Sequence, residues 1–505
     1  MNSKINLSDK NLIGKILFLL SIILLGVMIA VIFKKPFLET DEWFTKGIIQ
    51  LSFQQMVNIT AIDVHPPLYY IILKIPMKIL AMLHIGYDLV TLMKVMSILP
   101  LFILLGISAT TLRKNFGWLS AGFFALTIIT MSSFFRVFLT ARMYNWGILF
   151  LVLSFLCVYY ILKESNYKYW ILLAIFSVLG AYTHYFVAIS SVALYMILFV
   201  NILFNKSLGF ERSDLKKWFV STVVGVILYV PWLFTLFSQL NKVHKSYWIP
   251  SVDLAKMVES FSIVFTNNSN FMLGVILAVV VIALTAFVVL RYLKSKSKDD
   301  FFLLLGFAVF IVTIVLAFIV SVTFKPILLA RYLVPAIALI WLSISILVSD
   351  IDFKKFVIPI VIVVLVFGAF NLVDQISVID DDYAKTVEAN AFLDNMSNND
   401  TIVIISGMQK YVRFFNEIDD AKQYYVYTFD NKTHKEPYLK ILKLNKTSFD
   451  IPQDVYSNPD KQIYIIVDKK SEFENNTDVD FDKVFNLRGC IFYKINGTNT
   501  TNLGM

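Results

Sequence analysis

Apolar residues fall in blocks of about twenty along the first three quarters of the chain, and short basic segments punctuate them. Eleven blocks read as membrane-crossing helices: residues 12–33, 90–111, 118–134, 145–162, 170–183, 185–204, 218–237, 270–291, 301–321, 332–349 and 357–373. The pair 170–183 and 185–204 is tight enough to read as a broken hairpin. The first block outruns the apolar stretch of a signal peptide, and "KKPFLETDE" follows it without a small-residue cleavage site. It is therefore expected to stay in the membrane.

The basic residues orient these blocks. With Lys4, Lys10 and Lys15 in the cytoplasm, every second connection is short and basic. The set comprises 112–117 with Arg113 and Lys114, 163–169 with Lys163 and Lys168, 205–217 with Lys206, Arg212, Lys216 and Lys217, 292–300 with Lys294, Lys296 and Lys298, and 350–356 with Lys354 and Lys355. An odd number of crossings keeps that alternation, so the N-terminus is expected inside and the C-terminus outside. The outer side then holds two long segments, 34–89 and 238–269, and everything from 374 onward.

Two of these outer regions have patterns of their own. In 34–89, Phe44, Ile48 and Leu51 recur at helical spacing, as in a helix lying in the interface. Pro66 and Pro67 then break the chain and start a second amphipathic stretch. Beyond 374, "DTIVIISG" (400–407), "YYVYTF" (424–429), "QIYIIVD" (462–468) and "CIFYKI" (490–495) read as strands, preceded by a helix over 383–396. The fold class expected is a polytopic α-helical membrane domain, 1–373, with a small extracytoplasmic α/β domain, 374–505.

Composition agrees with that division. The 505 residues are 58% hydrophobic and 16% charged, with mean hydropathy +0.70, and the charge deficit lies before about residue 373. The net charge of +9 marks topology and not a nucleic-acid surface, because the basic residues are spread between apolar blocks. Cys157 sits in an apolar block and Cys490 near the C-terminus, so no disulfide framework is implied. Sequons at Asn431, Asn445 and Asn496 lie in an Asn-rich stretch and carry little weight. There is no internal repeat, no Walker loop and no GxGxxG.

Ionisable residues at the ends of membrane helices are costly and therefore informative. Under the topology above they gather on one membrane face. Asp41 and Glu42 follow the first block, and Asp63 and His65 share the same outer segment. Arg136, Arg142 and Tyr144 sit in "FFRVFLTARMYN", His184 and Tyr185 in "YTHYF", and Lys325, Arg331 and Tyr332 in "FKPILLARYLVP". Each has a plain structural alternative. The carboxylates can cap a helix after Thr40, His65 can serve a turn, the arginines can anchor helices, His184 can be a buried hydrogen-bonding histidine, and Tyr247 and Trp248 can belong to an aromatic belt. Their coincidence on one face favours chemistry. Carboxylates supply a general base or bind a divalent metal, arginine grips phosphate bidentately, and aromatic rings suit sugars. A site outside the cytoplasm lacks ATP, and a polyprenyl-phosphate sugar carries its own activation.

An Asp-Glu pair after the first span, followed by "HPPLYY" (65–70), resembles the GT-C superfamily of membrane glycosyltransferases, and within it glycosyltransferase family 39, the protein mannosyltransferases and aminoarabinose transferases. "ARMYNWG" (141–147), "THYF" (183–186), "YWIPS" (247–251) and "ARYLVP" (330–335) look like stretches of its prokaryotic members. The resemblance covers about 1–373. It implies that Asp41 deprotonates the acceptor, with Glu42 its acidic neighbour. It further implies that His65 opens a loop-shaping motif and that Arg142 and Arg331 lie near the donor phosphate. Many relatives carry an aspartate just after the arginine of the span-three-to-four turn; here Tyr144 and Asn145 stand there. A divalent metal ion is the one cofactor left open, with Asp41 and Glu42 its candidate ligands.

The expected function is inverting transfer of a sugar from a polyprenyl-phosphate donor to a protein, lipid-linked glycan or glycolipid acceptor, at the outer face of the plasma membrane, with no nucleic-acid partner. His65, Arg142, Tyr144, His184, Tyr185, Lys325, Arg331 and Tyr332 are the expected substrate-binding residues. One rival is a lipid or polysaccharide transporter, which would carry ionisable groups near the bilayer midplane and often repeated halves, and another is a non-catalytic glycan-binding protein whose C-terminal domain does the binding.

Overall fold

The computed structural model describes residues 7–138, 140–245, 249, 251–262, 271–351 and 353–395, and five strands within 401–495. Tyr247, Trp248 and the three sequons lie outside the described residues, as does the side chain of Arg136.

The helices run in order as α1 (Leu7–Lys34), α2 (Thr40–Gln50), α3 (Phe53–Ile62), α4 (Leu68–Met82), α5 (Leu89–Ile107), α6 (Arg113–Thr130), α7 (Ser132–Phe138) and α8 (Tyr144–Glu164). They continue as α9 (Tyr167–Thr183), α10 (Tyr185–Phe204), α11 (Arg212–Lys245), α12 (Leu254–Ser262), α13 (Phe271–Ser295), α14 (Lys298–Thr323), α15 (Val334–Asp350) and α16 (Ile358–Asp394). Among the described residues, nine helical stretches are long and apolar enough to cross a membrane, and α9 is a shorter apolar helix. One of the nine, Leu89–Thr130, holds two of the apolar blocks, divided at Gly117, whose φ of 87° and ψ of 171° no helix interior allows. Each of the eleven blocks thus falls on a helix. The third ends earlier than its pattern predicts: Met131 turns extended after Thr130, and α7 starts afresh at Ser132.

Two compact units divide the chain: residues 1–34 with 64–377, and residues 35–63 with 378–505. In the first unit, α8 and α15 form the interior. The α15 span is 94% buried and that of α8 is 83%, against 11% for α11 and 17% for α13. A helix apolar all round and buried all round is the centre of a bundle, whereas α11 and α13 turn exposed Val, Ile, Leu and Phe outward, as lipid-facing helices do. Small residues let the helices close. A Cβ on Gly122 of α6 would lie 2.0 Å from the carbonyl oxygen of Gly14 in α1, so this crossing exists only without side chains.

The second unit contains α2, α3, the end of α16 and a mixed sheet. The strands are β1 (Thr401–Ile405), β2 (Gln423–Tyr427), β3 (Ile463–Val467), β4 (Phe481–Leu487) and β5 (Cys490–Ile495), in the order β2-β1-β3-β5-β4. β1 pairs in parallel with β2 and β3; β5 pairs antiparallel with β3 and β4. Phe392 of α16 packs edge-on against Tyr464 and Phe492 of the sheet.

Three features differ from the sequence reading. β4 was not foreseen, because "FDKVFNL" breaks alternation with Asp482 and Lys483, both exposed on an edge strand. The last apolar block and the following amphipathic helix are one helix of 37 residues, since nothing between 373 and 383 breaks a helix even though polarity changes there. In 34–89, Leu51 is not on the helix face it was assigned to; it is the extended residue that ends α2. Burial on α2 covers Trp43, Phe44, Thr45, Ile48 and Ile49, wider than the single face of an interfacial helix.

Candidate active site

The first unit gathers six of the expected residues at the ends of four helical segments. His65 lies in the extended link before Pro66 and Pro67, which begin α4. Arg142 and Tyr144 sit where the chain enters α8. His184 is the single residue between α9 and α10, and Arg331 and Tyr332 occupy the one-turn 3-10 helix Ala330–Leu333 before α15.

Local chemistry sets each position. The turn before α8 closes with the Arg142 amide donating to the carbonyl of Thr140 at 2.8 Å. Asn145 Nδ2 donates to the Ser97 carbonyl at 2.7 Å, and Trp146 Nε1 to the Met96 carbonyl at 3.0 Å, which ties the start of α8 to α5. Tyr69 OH and Ser97 Oγ, 2.8 Å apart, bring α4 to the same point. His184 has extended backbone angles (φ −155°, ψ 134°), and its Nδ1 accepts the Phe186 amide at 3.1 Å, so its ring caps α10. Ser321 Oγ accepts the amides of Ile327 and Leu328 at 3.1 and 3.2 Å, which shapes the link leading to Arg331.

The side chains then meet. Arg142 Nη2 donates to His65 Nε2 at 3.1 Å. The His184 ring is 6.4 Å from His65, 5.4 Å from Tyr144 and 5.0 Å edge-on from Tyr332, centroid to centroid. The Arg331 guanidinium lies 5.5 Å from the centre of the Tyr332 ring. Arg142, Tyr144, His184 and Tyr332 are buried, His65 is half-buried and Arg331 is exposed.

This packing makes both histidines neutral. Burial lowers the pKa of His184 to about 3, and the positive charges of Arg142 and Arg331 push the same way. Burial also holds His65 well below the ordinary imidazole value, helped by Arg142, His184 and Arg331. With Nδ1 taken by the helix cap, neutral His184 carries its proton on Nε2. His65, accepting at Nε2, carries its proton on Nδ1. The cluster is therefore two guanidinium groups and two neutral N–H donors, a set suited to a phosphate.

Both histidines and Tyr332 line the mouth of a cavity of about 670 Å³. Its walls come from α9, α10 and α11 and are almost wholly apolar, from Val178 and Ala181 to Met196 and Val226. Near the mouth Tyr185 donates its hydroxyl proton to Gln239 Oε1 and accepts Trp232 Nε1 at 3.0 Å. Gln239 and Trp232 were not singled out from the sequence, where nothing separates them from other polar and aromatic residues near helix ends. Lys325 is half-buried at the end of α14, and among the described contacts none joins its ammonium to the cluster.

The carboxylates belong to the second unit. Asp41 and Glu42 stand in the first turn of α2. Glu39, not Thr40, is the N-cap, and its amide donates to Glu42 Oε2 at 2.7 Å. Asp63 ends α3, its amide bonded to the Ile59 carbonyl at 3.0 Å. Among the described residues no three His, Cys, Asp or Glu side chains group as metal ligands. Adjacent helical residues point ~100° apart. One Glu42 oxygen is held by the cap.

In sequence, the chain matches no family model and no curated protein. In structure it is similar to ArnT from Cupriavidus metallidurans. The apo form aligns with TM-score 0.60 at 8% identity over 94% of this chain and 97% of that one. The form bound to undecaprenyl phosphate aligns with TM-score 0.59 at 8% identity, over 96% and 98%. A looser likeness, TM-score 0.44 at 12% identity, joins 86% of this chain to 64% of the Archaeoglobus fulgidus oligosaccharyltransferase solved with Zn and sulfate. The chain has the GT-C membrane fold that the Asp-Glu and "HPPLYY" pattern anticipated.

Proposed function

We propose that this protein is a membrane glycosyltransferase that takes its sugar from a polyprenyl-phosphate donor. The observation that carries the reading is the pairing of a basic cluster with an apolar cavity of about 670 Å³ that both of its histidines line. A donor with one phosphate and a long hydrocarbon chain fits both parts at once. The ArnT structure bound to undecaprenyl phosphate supports the same chemistry.

In the reaction, Asp41 accepts the proton of the acceptor hydroxyl. That oxygen forms a bond to the anomeric carbon from the face opposite the phosphate, and the bond from the anomeric carbon to the phosphate oxygen breaks with inversion. Arg142 and Arg331 stabilise the negative charge that grows on the departing phosphate, which leaves as polyprenyl phosphate. His65 and His184 orient it through their N–H groups, and Tyr144 and Tyr332 frame the sugar. Residues 1–373 supply the transferase domain and 374–505 an extracytoplasmic domain. The N-terminus lies in the cytoplasm, and the acceptor is a protein, lipid-linked glycan or glycolipid outside.

The test is a lipid extract from a strain lacking the protein. A polyprenyl-phosphate sugar should accumulate, and its level should return to normal when the wild-type chain is restored but not with Asp41→Asn. An unchanged lipid profile counts against the reading. A C-terminal tag reachable from outside, with one in 291–300 shielded, tests the orientation separately.

A further inference from the structure

Gly225 is the glycine among the described residues that line the cavity, and it sits in the interior of α11. Glycine there weakens a helix relative to alanine. Some glycines in this bundle face a neighbouring backbone, as Gly122 does Gly14, and others, such as Gly26 and Gly106, face open space but do not line the cavity. Gly225 has no such neighbour. A Cβ added to it would meet only Val178 Cγ2, at 3.8 Å, an ordinary contact. The helix would tolerate a larger residue, and the space is left to the cavity.

The depth of that space is informative. Val178 lies six residues before His184, hence about 9 Å below it along the helix axis. An extended isoprene unit has four chain bonds of ~1.5 Å each and advances by about 5 Å. A chain whose phosphate is held at the mouth therefore passes Gly225 with its second unit. An isoprenoid carries a methyl branch at every unit, and a straight acyl chain carries none. Hydrophobicity cannot tell the two apart in a bilayer, where each already lies in hydrocarbon. Groove width can.

We propose that Gly225 is a specificity-determining residue: its missing side chain gives the methyl branches of a polyprenyl phosphate room in the cavity, so the protein favours a branched over a straight lipid phosphate. This rests on the donor reading above and deepens it.

The test uses the full chain in lipid nanodiscs with two probes of matched backbone length, geranylgeranyl phosphate and hexadecyl phosphate. The wild-type chain should bind the branched probe more tightly. Gly225→Val should weaken the branched probe about tenfold, the size of an overpacking penalty, and the straight probe by less than about threefold. Should the valine variant fail to fold, Gly225→Ala is measured in the same way, with about a threefold loss expected for the branched probe alone. Equal losses on both probes, or a preference unmoved by the substitution, overturn the role of Gly225. Failure of the wild-type chain to bind either phosphate overturns instead the donor reading beneath it.

Discussion

The basic cluster and the acidic turn are built in opposite ways. Arg142, His65, His184 and Tyr332 come from four separate segments of the chain and meet only because α4, α5, α8, α9, α10 and α15 pack as they do. Asp41 and Glu42 come from one turn of one helix, and its own backbone holds Glu42. Arg142, His184 and Tyr332 are buried, so the chemistry of the cluster depends on distant packing. Glu42 depends on a local cap. One consequence is that adjacent carboxylates, though alike in sequence, are unequal: Glu42 has an oxygen committed to the cap, and Asp41 is the one proposed as the base.

The largest effect should come from that inequality. Asp41→Asn keeps the shape and loses the basicity, and turnover should fall by ~10²–10⁴. Binding of geranylgeranyl phosphate should stay at the wild-type level. Normal turnover in Asp41→Asn with a dead Glu42→Gln would reverse the roles of the two acids.

The cluster should respond the other way, in binding. Arg142→Ala removes a buried charge-assisted contact and should weaken binding of the lipid phosphate by roughly tenfold to a hundredfold, about 1.5–3 kcal/mol. Arg331 is exposed, so screening reduces its share, and Arg331→Ala should cost less. Equal and negligible effects on binding in both variants would make them helix anchors and nothing more.

Acidity should separate the two regions again. Both histidines are held neutral when folded, by burial first and then by the nearby guanidinium groups. The unfolded chain binds more protons than the folded one below the ordinary imidazole value of 6.5, so stability rises with pH there. The contribution of His184 is intact above pH 6.5. It declines by ~1.4 kcal/mol per pH unit as the pH falls from there towards about 3. Thermal unfolding of the detergent-solubilised protein should show a melting temperature that drops below pH 6.5, with a shallower slope in His184→Asn. An identical slope in that variant would show that the imidazole is not held neutral.

The smallest effect should be at the cap. Glu42→Gln still accepts the Glu39 amide and should leave α2 nearly as stable as before. Glu42→Ala loses the bond, and hydrogen exchange over 39–45 should quicken by an amount corresponding to about 0.5–2 kcal/mol. Matching exchange rates in the two variants would remove the cap from the account of this turn.

What could be read directly from the residues was whatever repeats over a short window. Each apolar block announced a helix because about twenty consecutive apolar residues have few other stable arrangements, and Asp41 and Glu42 stood out beside them as charges at the end of a span. Four of the strands were visible as β-branched and aromatic runs. The fifth, "FDKVFNL", was not, because an edge strand owes its place to the neighbour it pairs with. His65, Arg142, His184 and Arg331 could be named one by one, yet their neutral or charged states, the proton position on each imidazole and the cap formed by His184 follow from neighbours brought in by packing. The tie from Asn145 to the Ser97 carbonyl and the open space at Gly225 left no mark in any local pattern. The physical reason is range: hydrophobic periodicity and helix caps act between residues a few positions apart, whereas burial, electrostatic shifts and the width of a groove are set by segments that meet only after the chain has folded.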